Sequence, residues 1–159
     1  MEDTRLTANF TLAELTKTST GIPNQPPSKS EIYSNLLRTA KMLQSLRDWL
    51  GKPIIVNSGY RSPAVNKAVG GASNSSHMYG LAADIWVKGL SPVQLATYID
   101  SSDIAFDKLI VEPTWVHLQV AREGEFSGQR IMWAEFLDKK VYYHDGMPPD
   151  NLYTQPAGV

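Results

Sequence analysis

The chain has 159 residues, 42% of them hydrophobic and 19% charged, the balance of one globular domain long enough to bury a core of its own. A net charge of −1, with no basic run interleaved with aromatics, excludes an electrostatic footprint for nucleic acid or an anionic membrane. There is no cysteine, so disulfides, thiolate metal sites and a cysteine nucleophile are excluded, and any metal must be held by His, Asp or Glu.

The opening MEDTRLTANFTLAEL has neither a basic n-region nor an apolar h-region, and no apolar run approaches the length of a membrane span. The expectation is a protein made in the cytoplasm without a signal peptide and without membrane insertion. Residues 1–27 read as an irregular approach, with a short helical turn over 12–15 behind Thr11 as N-cap. Ser28 and Glu31 have capping-box spacing. Ile32, Leu36, Ala40, Leu43, Leu46 and Leu50 then recur at three- and four-residue steps, which predicts a helix with one apolar stripe, stopped by Gly51.

PIIV (53–56) reads as a buried strand leading into Ser58-Gly59-Tyr60-Arg61. Ser62-Pro63 is an N-cap followed by a proline at the first helical position, predicting a short helix to about Val69 that Gly70-Gly71 ends. Residues 72–80 read as loop and LAADIW (81–86) as a short strand. Ser91-Pro92 opens a further capped helix through about residue 98 or 99. KLIV (108–111) and WVHLQV (115–120) are strands joined by a tight connection containing Pro113. RIMWAEF (130–136) and, more weakly, VYYH (141–144) are further strands, and 145–159 reads as an exposed tail. Helices and strands do not alternate regularly, so the expected class is α+β, a compact single domain with a largely antiparallel sheet flanked by helices.

The stretch SGYRSPAVNKAVGGASNSSHMYGLAADI (58–85) has little to bury, yet it carries one arginine, one histidine and one aspartate. Asp84 stands among Leu81, Ala82, Ala83, Ile85 and Trp86, where an unpartnered carboxylate is costly. Alternation along WVHLQV puts Val116, Leu118 and Val120 on the core face and Trp115, His117 and Gln119 on the other. His77, Asp84 and His117 together make three protein ligands for a divalent ion with a vacant fourth position, as a catalytic zinc requires. Each has a plainer reading: a structural strand histidine for His117, and a buried pair with Arg61 for Asp84. Glu112 ends the 108–111 strand five residues before His117, and the turn at Pro113-Thr114 brings it back beside that ligand as a base for water, or leaves it as an exposed turn residue. Arg61 is placed to bind a carboxylate or an oxyanion, or to brace Asp84. Ser75 serves substrate or the turn, and Ser76 the turn. Trp86, Trp115 and Trp133 line a cleft or pack in the core, and His144 reads as surface.

These residues resemble the zinc D-Ala-D-Ala carboxypeptidases and peptidoglycan L,D-endopeptidases, which share their fold with hedgehog signalling domains. The likeness rests on the SGYR run, on His77 sixteen residues after Arg61, on His77 and Asp84 seven positions apart, and on Trp115-Val116-His117. It covers about residues 8–120 and fades beyond. The resemblance implies one zinc ion held by His77, Asp84 and His117, Arg61 as electrostatic stabiliser and Glu112 as catalytic acid/base. Other branches place the base three residues before the last ligand, where this chain has Thr114, which cannot serve. Ser75, Tyr60 and Trp115 are the candidate substrate contacts. The implied substrate is the stem peptide of bacterial peptidoglycan, cut by a monomeric zinc peptidase of the phage endolysin type acting in the periplasm or from a phage particle. The alternative is a catalytically inactive, zinc-containing wall-binding or structural module, for which a carboxylate at Glu112 would be unnecessary. A Ser-His-Asp hydrolase is not supported, because no Gly-x-Ser-x-Gly elbow occurs.

Overall fold

The computed structural model describes residues 4–158. Thr11 caps helix α1 (Leu12–Thr16) with a full capping box closed by Glu14, and Phe10 and Leu15 enter the core beside it. Helix α2 (Glu31–Leu50) is capped by Ser30, whose side chain accepts from the Tyr33 N–H, and ends at Gly51 in the left-handed conformation. The expected cap at Ser28 is thus corrected by two residues: Lys29 has a φ of 55°, so the chain is still turning there and only Ser30 reaches the first helical amides. Of the predicted stripe, Leu36, Ala40, Leu43 and Leu46 are fully buried, while Ile32 and Leu50 pack at its margins. Each buried leucine contributes about 1.5–3 kcal/mol through removal from water.

Strand β1 (Ile55–Ser58) begins two residues later than PIIV suggested. Helix α3 (Pro63–Ala68) starts behind Ser62 with proline at its first position, as expected. The predicted loop 72–80 contains a 3-10 turn, Ser76–Tyr79, which ends at Gly80 with φ 73°. Strand β2 (Ala82–Trp86), helix α4 (Pro92–Asp100), strands β3 (Lys108–Val111) and β4 (Val116–Gln119), and the hairpin of β5 (Arg130–Leu137) and β6 (Lys140–Asp145) complete the chain. Asp138 and Lys139, both at positive φ, form the two-residue hairpin turn.

The six strands form one sheet in the order β1-β2-β4-β3-β5-β6, antiparallel at every step except β3–β5. Residues paired across neighbouring strands share a face, so register sorts the sheet into two sides. Ile85, Val116, Val111 and Trp133 form one row, at most 9% exposed, and belong to the main core together with Leu36, Leu43, Leu95 and Ile99 of the helices. The next row, Ser58, Asp84, His117, Ile110 and Met132, lies on the opposite face. The α+β expectation with a largely antiparallel sheet holds.

Residues 145–158 are mostly exposed but tied to the domain rather than free. The Tyr153 hydroxyl donates to the Ala134 carbonyl at 2.6 Å, and Ala157 exchanges backbone hydrogen bonds with Gly89 and Leu90. Leu152 and Tyr153 pack against the core margin. A short polar stretch gave no periodic signal for this docking.

Candidate metal centre

His77, Asp84 and His117 reach one point from three elements. Asp84 on β2 and His117 on β4 are direct partners across the antiparallel ladder. His77 comes from the 3-10 turn, where Ser75 caps the amide of His77 itself and whose backbone is pinned to β1's exit by the Arg61 N–H donating to the His77 carbonyl at 3.0 Å. Helix α2 holds the turn from its other side: Thr39 donates to the Gly80 carbonyl at 2.8 Å and Asn35 to the Tyr79 carbonyl at 3.0 Å.

The Asp84 Oδ1 atom lies 3.3 Å from His77 Nε2 and 3.2 Å from His117 Nδ1. The other nitrogen of each ring is already committed. His77 Nδ1 is 2.7 Å from the Gly59 carbonyl, which can only accept, so the proton sits on Nδ1 and Nε2 presents a lone pair. His117 Nε2 is 3.0 Å from Gln119 Oε1, which leaves Nδ1 towards Asp84. With both rings neutral, three lone pairs converge with no proton between them, an arrangement a cation stabilises. A cation bound there requires the Nδ1 atom of His117 to be unprotonated. The electrostatics agree. Burial alone would push Asp84 up, yet the His77 and His117 partners outweigh it and hold the carboxyl well below its ordinary range. Burial pushes His77 down, against the pull of Asp84. Burial would also lower His117, but its hydrogen bond to Asp84 and that group's charge raise it.

The donor set fits zinc. Zinc–nitrogen and zinc–oxygen lengths of about 2.0–2.1 Å with tetrahedral angles give donor-to-donor edges near ~3.3 Å, and the two edges at Asp84 measure 3.3 and 3.2 Å. All three donor atoms lie within 4.8 Å of one another, and among the described residues this is the group of His, Asp and Glu able to hold a metal. His77 and Asp84 are buried, so the site is shielded while His117 keeps some contact with solvent.

Arg61 and Glu112 flank the triad. Arg61 NH2 pairs with Asp84 Oδ2 at 3.3 Å, Nε donates to Ser58 Oγ at 3.0 Å, and NH1 donates to Asn66 Oδ1 at 3.4 Å. The plainer reading of Asp84 as an Arg61 partner is therefore also true: one carboxylate oxygen faces the imidazoles and the other the guanidinium. Glu112 is no exposed turn residue. It is 9% exposed, its Oε2 accepts from the Trp115 indole N–H at 2.8 Å, and burial, reinforced by the charge of Asp84, pushes its carboxyl up to about 7.

One candidate substrate contact is reassigned. The Tyr60 ring is 3% exposed within the main core, where it packs rather than receives a ligand. The Ser75 hydroxyl accepts from the His77 N–H at 3.3 Å, which supports the turn and leaves the hydroxyl proton able to donate to a ligand. Trp115 stays at the site as the residue that orients Glu112. Trp133 is core, and its ring stacks on His144 at 4.4 Å, a pair remote in sequence from the triad. Sequence reasoning missed the Gly59 carbonyl, Asn66 and Gln119. Gln119 was legible in principle, since it shares His117's strand face two residues on.

Residues 6–119 match the protein family described as Peptidase M15. A stretch of 78 residues, 48% of this chain, is 47% identical to the zinc D-Ala-D-Ala carboxypeptidase of Streptomyces albus G. The match spans 31% of that relative's length.

Proposed function

Since the chain belongs to the peptidase M15 family, we propose that it is a zinc-dependent peptidase hydrolysing the stem peptides of bacterial peptidoglycan. The observation that carries this reading is the convergence of His77 Nε2 and His117 Nδ1 on Asp84 Oδ1, beside a buried glutamate poised near neutrality. The name of the Streptomyces albus G relative supports the substrate class.

His77, Asp84 and His117 would hold the ion. When bound, zinc supplies Lewis acidity that brings the pKa of water to about 7 and polarises a carbonyl. The remaining work belongs to the chain. Glu112, with Oε2 held by the Trp115 indole, accepts a proton from the attacking water on its carboxylate and returns it to the departing amine. Burial, which raises this carboxyl above its ordinary range, favours return of the proton as well as its uptake. Arg61 keeps N–H donors beyond the three it uses, and these bind a substrate carboxylate or the oxygen on which negative charge develops. Its pair with Asp84 also fixes that carboxylate's rotamer. Glu112 favours an active enzyme over an inactive wall-binding module, since a structural role gives no reason to bury a carboxylate here. The setting proposed is the bacterial cell wall, reached as a phage-type lysin or from a phage particle.

Digestion of purified peptidoglycan with and without a chelator, with released fragments identified by mass, tests the reading. Cleavage at a stem-peptide bond that chelator abolishes and zinc restores is expected. Absence of any such cleavage overturns it.

A further inference from the structure

A cleft of about 390 Å3 lies at the end of β2, the strand that carries Asp84, lined among others by Asn57, Trp86, Pro113, Thr114, Gln155 and Pro156. Its position follows from register. Trp86 lies two residues beyond Asp84 on β2, hence on the same face and about 7 Å along the strand. Pro113 and Thr114 directly follow Glu112. One extra residue, Asn57, is accommodated where the β1–β2 register shifts between Val56 and Ser58, and its Oδ1 accepts from the Trp86 indole N–H at 3.0 Å, which fixes the ring. The outer wall is the C-terminal segment, clamped by the Gly89 N–H to the Ala157 carbonyl at 2.8 Å and the Ala157 N–H to the Leu90 carbonyl at 3.0 Å. Gly158 lies so close to Trp86 that a Cβ there would stand 2.8 Å from the ring. This wall falls outside residues 6–119, the part matched to the family.

The lining decides what the cleft takes. No ionisable side chain contributes to it, so a carboxylate or ammonium placed there would lose water without gaining a partner. An indole, two prolines, two carboxamides and a hydroxyl instead offer an apolar surface with neutral donors and acceptors. Among the described residues, no hydrogen bond occupies the Thr114 hydroxyl or the Gln155 amide. Of the parts of peptidoglycan, the N-acetylated sugar has this chemistry: uncharged, with hydroxyls, an acetamide and an apolar ring face.

We propose that this cleft is a subsite for the N-acetylated sugar of the glycan strand, and that the chain cleaves close to the sugar-linked end of the stem peptide. The inference rests on the peptidase reading above. A residue of extended peptide spans about 3.3–3.6 Å, so the separation of Trp86 from Asp84 leaves room for one or two residues between sugar and scissile bond. Cleavage at a D-Ala terminus distant from the glycan would leave the cleft unused.

The full chain, with and without zinc, is titrated with an N-acetylglucosamine–N-acetylmuramic acid disaccharide whose lactyl carboxyl is amidated, as it is where the stem peptide is attached, while indole and side-chain amide N–H signals are followed by NMR. Shifts at the Trp86 indole and the Gln155 amide are expected, weakened in Gln155→Ala, a variant of an exposed residue that should leave the fold intact. In parallel, one stem peptide is offered with and without the disaccharide. The sugar-bearing form should show a KM lower by about tenfold, equivalent to ~1.4 kcal/mol, and Gln155→Ala should narrow that gap while leaving kcat on the sugar-free peptide unchanged. Shifts without cleavage of either peptide would sink the peptidase reading and leave the subsite standing. Equal cleavage of both peptides with no shifts would remove the subsite and leave the peptidase.

Discussion

Asp84 and His117 stand directly opposite one another in the β2–β4 ladder, with Ser58 paired to Asp84 on its other side. Two metal donors and the residue that anchors Arg61 Nε are therefore fixed by backbone register, not by loop conformation. Only His77 is brought in by a turn, and that turn is held on both flanks.

Such a rigid arrangement makes the metal the first thing a ligand substitution removes. His117→Ala is expected to lower zinc affinity by orders of magnitude and to abolish the rise in Tm that zinc gives the unaltered chain. Isothermal titration with zinc and thermal scans with and without it measure both. Unchanged stoichiometry and affinity in the variant would remove His117 from the ligand set.

Glu112 separates chemistry from binding. Glu112→Gln keeps shape and the Trp115 contact but cannot take a proton, so metal binding should persist while kcat falls by about 10²–10⁴-fold. In the unaltered enzyme the base works only when ionised. Turnover should therefore fall as pH drops through its pKa, which is about 7 without metal and lower once a cation offsets the Asp84 charge.

The same carboxyl carries a stability signature. Because folding raises its pKa, it favours the native state when protonated, below about pH 4.5, and that contribution is lost as pH rises through about 7. Metal-free Glu112→Gln should thus be more stable than the unaltered chain above pH 7, by on the order of 1–3 kcal/mol. Denaturant unfolding at pH 5 and pH 8 reads the difference. Equal stability at both values would mean that Glu112 is not desolvated in the native protein.

Much of this was legible in the sequence because it is periodic or costly. The α2 stripe, the alternation of WVHLQV and the serine caps before Pro63 and Pro92 follow from short-range rules. Asp84 was conspicuous as a charge in an apolar strand. What escaped depends on contacts between distant segments. The Gly59 carbonyl on His77, Thr39 on Gly80 and Tyr153 on Ala134 join residues 18, 41 and 19 positions apart, and no local pattern announces them. The burial of Tyr60 was equally hidden, since an aromatic beside the motif arginine reads as well for a ligand as for the core.

Gln119 is a positioning residue whose effect passes through His117. Gln119→Leu leaves His117 Nε2 without its partner and no longer fixes which nitrogen carries the proton. Zinc affinity should fall by about 10–100-fold. Gln119→Glu, which still accepts from that nitrogen, should restore most of it. A shift in the His117 ring-nitrogen signals by NMR distinguishes loss of the tautomer from general loosening. Full affinity in the leucine variant would show that β4 register alone holds the ring.

Two glycines test how closely the site depends on backbone approach. A Cβ at Gly71 would fall 2.0 Å from Asn66 Oδ1 and 3.1 Å from Arg61 NH1. Asn66 is 3% exposed and bound to the Ala72 carbonyl, so it cannot swing away freely, and the strain passes to Arg61. Gly71→Ala should cost about 1–3 kcal/mol of stability and lower kcat/KM by more than that loss explains at temperatures where the chain stays folded. At Gly59 the obstruction is backbone: a Cβ there would meet the Leu15 carbonyl oxygen at 2.4 Å, where the Tyr60 N–H also docks. Gly59→Ala should therefore unfold at lower denaturant than Gly71→Ala and lose zinc binding along with the fold. If Gly71→Ala instead retained full kcat/KM, the Asn66–Arg61 contact would have no part in holding the guanidinium, and Asp84 and Ser58 alone would suffice.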